Sequence, residues 1–111
     1  MNHEKLECYR QLVSIAEEVA RRVTRWPRGY GYLVDQISRA MTSSALNLAE
    51  GNGKQRCGAE RRRFFKISLG SIAEVAAALD LACAFGLIKR DELESLKSRL
   101  RAAYVKIEAL P

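Results

Sequence analysis

The residues that could carry chemistry are few, and their spacing argues against catalysis. The only histidine is His3, at a terminus expected to fray, so it is a poor general base. No Ser/His/Asp or Cys/His arrangement can be assembled around it. Three cysteines occur, Cys8, Cys57 and Cys83, an odd number whose spacings match no disulfide or zinc framework. Cys8 and Cys83 fall in apolar helical patterns and suit core packing. Cys57 lies in a basic loop, as a reactive thiol or as an exposed bystander. The run Gly51-Asn52-Gly53-Lys54 has neither P-loop nor Rossmann form. A carboxylate metal centre in a helical bundle would need inward Glu-x-x-His pairs, and there are none. The expectation is a protein that is not an enzyme, with no catalytic residue, no metal and no cofactor.

Charge placement is more informative. Between Lys54 and Lys66 stand Lys54, Arg56, Arg61, Arg62, Arg63 and Lys66 against Glu60 alone, a net of +5. Between Arg21 and Arg28 stand Arg21, Arg22, Arg25 and Arg28 with no acid, a net of +4. The whole chain carries +6, so the remainder sums to −3. Two concentrated basic patches suit phosphates, and arginine suits bidentate phosphate contact. Trp26, Tyr30 and Tyr32 beside Arg25 and Arg28 could stack bases. The plainer reading is a solvated face, with Trp26 covering one end of the fold.

A polar row is the other candidate. Gln36, Arg39, Ser43, Asn47 and Glu50 recur at helical spacing, and Ser71 and Glu74 flank a second apolar stripe. They suit a hydrogen-bond network that fixes helix register, with an Arg39–Glu74 pair as one link, more than a ligand cleft.

These residues must be positioned by helices. Proline is confined to Pro27 and Pro111, 48% of residues are hydrophobic and 29% are charged. That composition favours one soluble helical domain. Apolar residues at three- and four-residue intervals predict four helices. The first spans 4–24, with Leu6, Tyr9, Leu12, Val13, Ala16, Val19, Ala20 and Val23 inward. The second spans 32–50, with Leu33, Ile37, Ala40, Met41, Ser44, Ala45 and Leu48 inward. It is expected to stop at Gly51-Asn52-Gly53 in the left-handed conformation. The third spans 59–85, from Phe65 to Cys83 on its stripe, with Gly86 closing it. The fourth spans 90–109 on Leu93, Leu96, Leu100, Ala103, Tyr104 and Ile107. Lys89 at its N-cap lacks a capping oxygen, which costs about 1 kcal/mol. Short connections make the neighbours antiparallel, so the expected fold is all-α: a single up-down-up-down four-helix bundle over 1–111. The basic patches then lie at opposite ends. No leader is expected, and no apolar run approaches the roughly 20 residues of a membrane span. The expected location is the cytoplasm.

Two segments carry a resemblance. QISRAMTSSALNLAEGNGK runs from Gln36 to Lys54, and RRFFKISLGSIAEVAAALDLA from Arg62 to Ala82. Together they resemble the bacterial four helix bundle protein family, which includes proteins encoded in intervening sequences of large-subunit ribosomal RNA genes. Gln36, Arg39, Ala40, Ser43, Asn47, Ala49, Glu50 and Gly51 match its first motif. Phe65, Gly70, Ser71 and Glu74 match its second. The resemblance implies a homo-oligomer, often a pentameric ring. A related group is the accessory protein of diversity-generating retroelements, which implies RNA or DNA and a reverse transcriptase as partners. The functional expectation is a nucleic-acid-associated oligomeric bundle; the alternative is a protein-interaction scaffold with no nucleic-acid role.

Overall fold

A computed structural model describes residues 3–111. Four helices follow in order: α1 His3–Val23, α2 Gly31–Asn52, α3 Ala59–Ala84 and α4 Arg90–Glu108. No strand occurs among the described residues. Each helix packs on its neighbours in sequence, and α4 closes back on α1. Every adjacent pair is antiparallel, as the short connections require. The bundle measures 44 × 23 × 18 Å.

The core is built from the predicted stripes, with one shift in α1. There Cys8, Leu12, Ile15 and Val19 are buried, while Val13 and Ala20 face outward. The inward face follows a strict heptad spacing, 8-12-15-19, rotated from the expected one.

α2 and α3 approach most closely because small polar residues meet there. Ser44 and Ser68 are fully buried. Ser68 Oγ donates to the Ser44 carbonyl at 2.7 Å, and Ser44 Oγ donates to the Met41 carbonyl at 2.7 Å. These serines serve packing within one protomer.

Helix ends differ from expectation in an informative way. α2 runs through Gly51 and Asn52, and Gly53 has a right-handed conformation (φ −84°). The left-handed residue of the α2–α3 connection is Cys57, at φ 61°. Gly51 is required for a different reason, close approach. A Cβ there would stand 2.5 Å from Phe65 Cε1. The end of α3 follows the expected pattern. Gly86 takes φ 79°, its N–H reaches the Cys83 carbonyl, and the Leu87 N–H reaches the Ala82 carbonyl. That is a Schellman closure, and it folds Leu87 and Ile88 onto the core. At the start of α4 the Lys89 backbone N–H is met by the Glu92 carboxylate at 2.9 Å. This half of a capping box offsets part of the missing N-cap oxygen.

α3 is long and apolar enough, by length and composition, to cross a membrane, contrary to the sequence expectation. In the bundle only a third of that apolar window is buried. Its outer face carries Ile67, Gly70, Ala73, Ala77 and Leu81, all exposed, with Glu74 among them and Lys66 and Asp80 beside them.

Candidate nucleic-acid interface

The α2–α3 connection brings most of the predicted basic residues to one end of the bundle. The loop is pinned by Cys57 N–H to the Pro111 carbonyl (3.0 Å) and by Gly58 N–H to the Gln55 carbonyl (3.0 Å). Arg56, Arg62, Arg63 and Lys66 are exposed. Arg62 Nη1 donates to the Cys57 carbonyl, and the Arg63 guanidinium lies 4.6 Å from the centre of the Phe64 ring. Glu60 is the acid within reach, 4.0 Å from Arg63 and 3.8 Å from Lys54. Lys54 is also 3.9 Å from Glu50, so its charge is shared between two carboxylates. The amino end of α3 lies here, and its dipole adds to the positive potential.

Arg61 does not belong to this surface. It is only 2% exposed. Its Nη1 donates to the Lys54 carbonyl at 3.0 Å, and its guanidinium stacks 5.2 Å from the Phe65 ring centre. Nε and Nη2 find no acceptor among the described residues. The reason was visible in the spacing: Arg61, Phe65, Ser68 and Ile72 share one inward stripe. Lys5, by contrast, was missed. Its ammonium pKa is lowered by burial, then by repulsion from Arg61 and Arg56, so α1 contributes a further cation to this end.

A buried guanidinium without a carboxylate is costly, and removing such a charge while keeping volume is often neutral or stabilising. Arg61→Met is therefore expected to match or exceed the wild type in urea unfolding. Arg61→Ala is expected to lose about 2–4 kcal/mol through the cavity it leaves. A large loss in both would show that the Lys54 and Phe65 contacts outweigh desolvation.

The Arg21–Arg28 segment is less positive than its count suggests. Glu18, outside that window, meets Arg21 at 3.0 Å and Arg22 at 3.6 Å. Arg22 also pairs with Glu92 across the bundle. The Arg21 hydrogen bond holds the Glu18 carboxyl below its ordinary range. Arg25 and Arg28 remain exposed and make no ion pair among the described residues. Antiparallel packing puts this patch at the end opposite the α2–α3 loop.

The polar row splits. Ser71 Oγ bonds Ser43 Oγ at 2.7 Å, and Asn47 Nδ2 donates to the Ser43 carbonyl (2.8 Å) and Oγ (3.1 Å). These three form a link between α2 and α3. Gln36, Arg39, Glu50 and Glu74 are exposed, and no Arg39–Glu74 ion pair forms. Among the described residues no group of three His, Cys, Asp or Glu side chains converges as metal ligands would. The three cysteines are free, and burial pushes the Cys8 thiol up.

Fold and surface thus define a small helical bundle with one strongly basic end. A family model for the 23S rRNA-intervening sequence protein matches residues 4–109. The chain belongs to that family. No individually curated protein matches it. The family's description names no reaction.

Proposed function

We propose that this protein is a non-enzymatic, homo-oligomeric bundle that associates with nucleic acid through its α2–α3 end. The observation that carries the reading is the group Arg56, Arg62, Arg63 and Lys66. All four are exposed, and among the described residues Glu60 is the one acid that pairs with any of them, 4.0 Å from Arg63. Such an array supports phosphate binding by counterion release, without base specificity. The test is binding to labelled RNA and DNA as salt is raised. Affinity at low salt that falls steeply with salt is expected; no affinity at low salt overturns the reading.

Self-association is supported by the outer face of α3. Large apolar side chains grouped on an exposed helix face mark an interaction surface, and Ile67 and Leu81 there are 39% and 51% exposed. Gly70 faces open space, with nothing within 4 Å of a Cβ placed there. A glycine in an exposed helix interior costs about 1 kcal/mol against alanine, and close contact with a second copy would explain it. Light scattering is expected to give a multiple of the 12.5 kDa protomer. Ile67→Glu with Leu81→Glu is expected to return the mass to one protomer with helicity intact. A wild type already at protomer mass refutes self-association. A pentameric ring and a reverse-transcriptase partner are what the resemblance adds to this reading.

A further inference from the structure

The end of the bundle opposite the α2–α3 loop is hollow. A cavity of about 690 Å³ opens there between the α1–α2 and α3–α4 connections. That volume falls within the range of small-molecule sites, about 300–1,000 Å³. Its wall is aromatic: Trp26, Tyr30 and Phe85 line it, with Tyr30 and Phe85 ring centres 6.0 Å apart. Phe85 is 45% exposed, a costly position for a ring that nothing covers.

Polar groups around the cavity are unevenly committed. Of its two acids, only Glu92 is paired with a cation. Glu92 accepts from Arg22 and from the Lys89 backbone, and Asp91 Oδ1 accepts the Glu92 N–H at 3.0 Å. Its cations are not all engaged, because Arg25 and Lys89 are exposed and make no ion pair among the described residues. Two further donors nearby, Trp26 Nε1 and Arg22 Nε, have no acceptor among the described residues, but they are covered and do not open into the cavity. Unpaired buried donors are rare and costly. What the aromatic wall and the exposed Arg25 and Lys89 suit is an anion with a flat apolar part.

We propose that this cavity binds one nucleotide, its base against the Trp26–Tyr30–Phe85 wall and its phosphate on Arg25 and Lys89. Base–aromatic stacking tolerates any base, and the two cations supply charge-assisted contacts to the phosphate. The proposal rests on the nucleic-acid reading only for the source of the nucleotide, a free nucleotide or one residue of a single strand.

Trp26 is the chain's one tryptophan, so a single indole N–H resonance reports the cavity. The protein is titrated with uridine monophosphate and, separately, with a short single-stranded oligouridylate. A saturable shift of that resonance is expected. Arg25→Ala with Lys89→Ala should weaken it at least about tenfold, the loss of a charged hydrogen bond. Phe85→Ala, at an exposed ring, should weaken it without unfolding the bundle. A shift with the mononucleotide assigns the free ligand; a shift with the oligonucleotide alone assigns the strand. No saturable shift with either probe overturns the proposal, as does a shift indifferent to the Arg25/Lys89 and Phe85 changes. Long-RNA binding with a silent Trp26 sinks the cavity and leaves the α2–α3 interface standing. A Trp26 shift without any salt-dependent RNA binding does the reverse.

Discussion

Replacing Arg56, Arg62, Arg63 and Lys66 together by alanine is expected to flatten the salt dependence of RNA binding. Each neutralised phosphate contributes about 0.7 to 0.9 to the slope of log affinity against log salt. Four contacts therefore contribute about 2.8 to 3.6. Between 50 and 200 mM salt, that slope alone takes about 50- to 150-fold from the wild-type affinity. The variant should lack this component and bind weakly at every salt. The fold should survive, because all four side chains are exposed and surface substitutions usually cost about 0.5 kcal/mol or less each, with the Arg62 bond to Cys57 and the Arg63 contact with Phe64 the local losses. Fluorescence anisotropy across a salt series checks the slope. An affinity lost by the same factor at every salt would mean that these side chains do not meet phosphate. Arg61 is left out of the variant because its guanidinium is covered, and its replacement would confuse binding with folding. Arg21 and Arg22 are a useful contrast. Glu18 and Glu92 already neutralise them, so their loss should change the slope by well under the about 0.7 to 0.9 per residue of a full phosphate contact.

How far the molecule could be read in advance depended on what kind of signal each feature leaves. The helices leave periodic ones. Leu93, Leu96, Leu100, Ala103 and Ile107 lie on the stripe of α4 as expected, and Gly86 marks the end of α3 because only a left-handed residue closes it that way. Partner choice leaves almost none. That Glu92 would bind Arg22 follows from α4 closing on α1, and no local spacing states it. The Arg61 error was of a third kind. Its neighbours Arg62 and Arg63 are exposed, and a run of like charges suggests one common surface. A helix turns about 100° per residue, so a run of three must point three ways, and Arg61 shares the inward stripe with Phe65. α3 shows the same limit from the other side. Its second apolar face leaves no separate mark in the spacing, and only the bundle shows that it stays uncovered among the described residues.

Gly51 tests how tightly that inward stripe is packed. A Cβ at Gly51 would lie 2.5 Å from Phe65 Cε1, 2.6 Å from Cδ1 and 3.3 Å from Phe64 Cβ. The first two distances are too short for any real contact, so the Phe65 ring must move. It has little room, since it is 6% exposed and holds the Arg61 guanidinium on its face. Overpacking of this kind costs about 1–3 kcal/mol. Against it stands the helix propensity of alanine over glycine, worth about 1 kcal/mol. Gly51→Ala is therefore expected to destabilise by up to about 2 kcal/mol, with the clash outweighing the propensity. Phe65→Leu removes the ring atoms in conflict. In that background the same Gly51→Ala change should become neutral or stabilising, because only the propensity gain remains. The difference between backgrounds is the coupling between the two sites, expected near 2 kcal/mol. Urea unfolding of the four proteins at one protein concentration measures it. A Gly51→Ala protein more stable than wild type, with no coupling to Phe65, would show that the helices can separate there at little cost. The close α2–α3 seam would then not be what holds the basic loop in place.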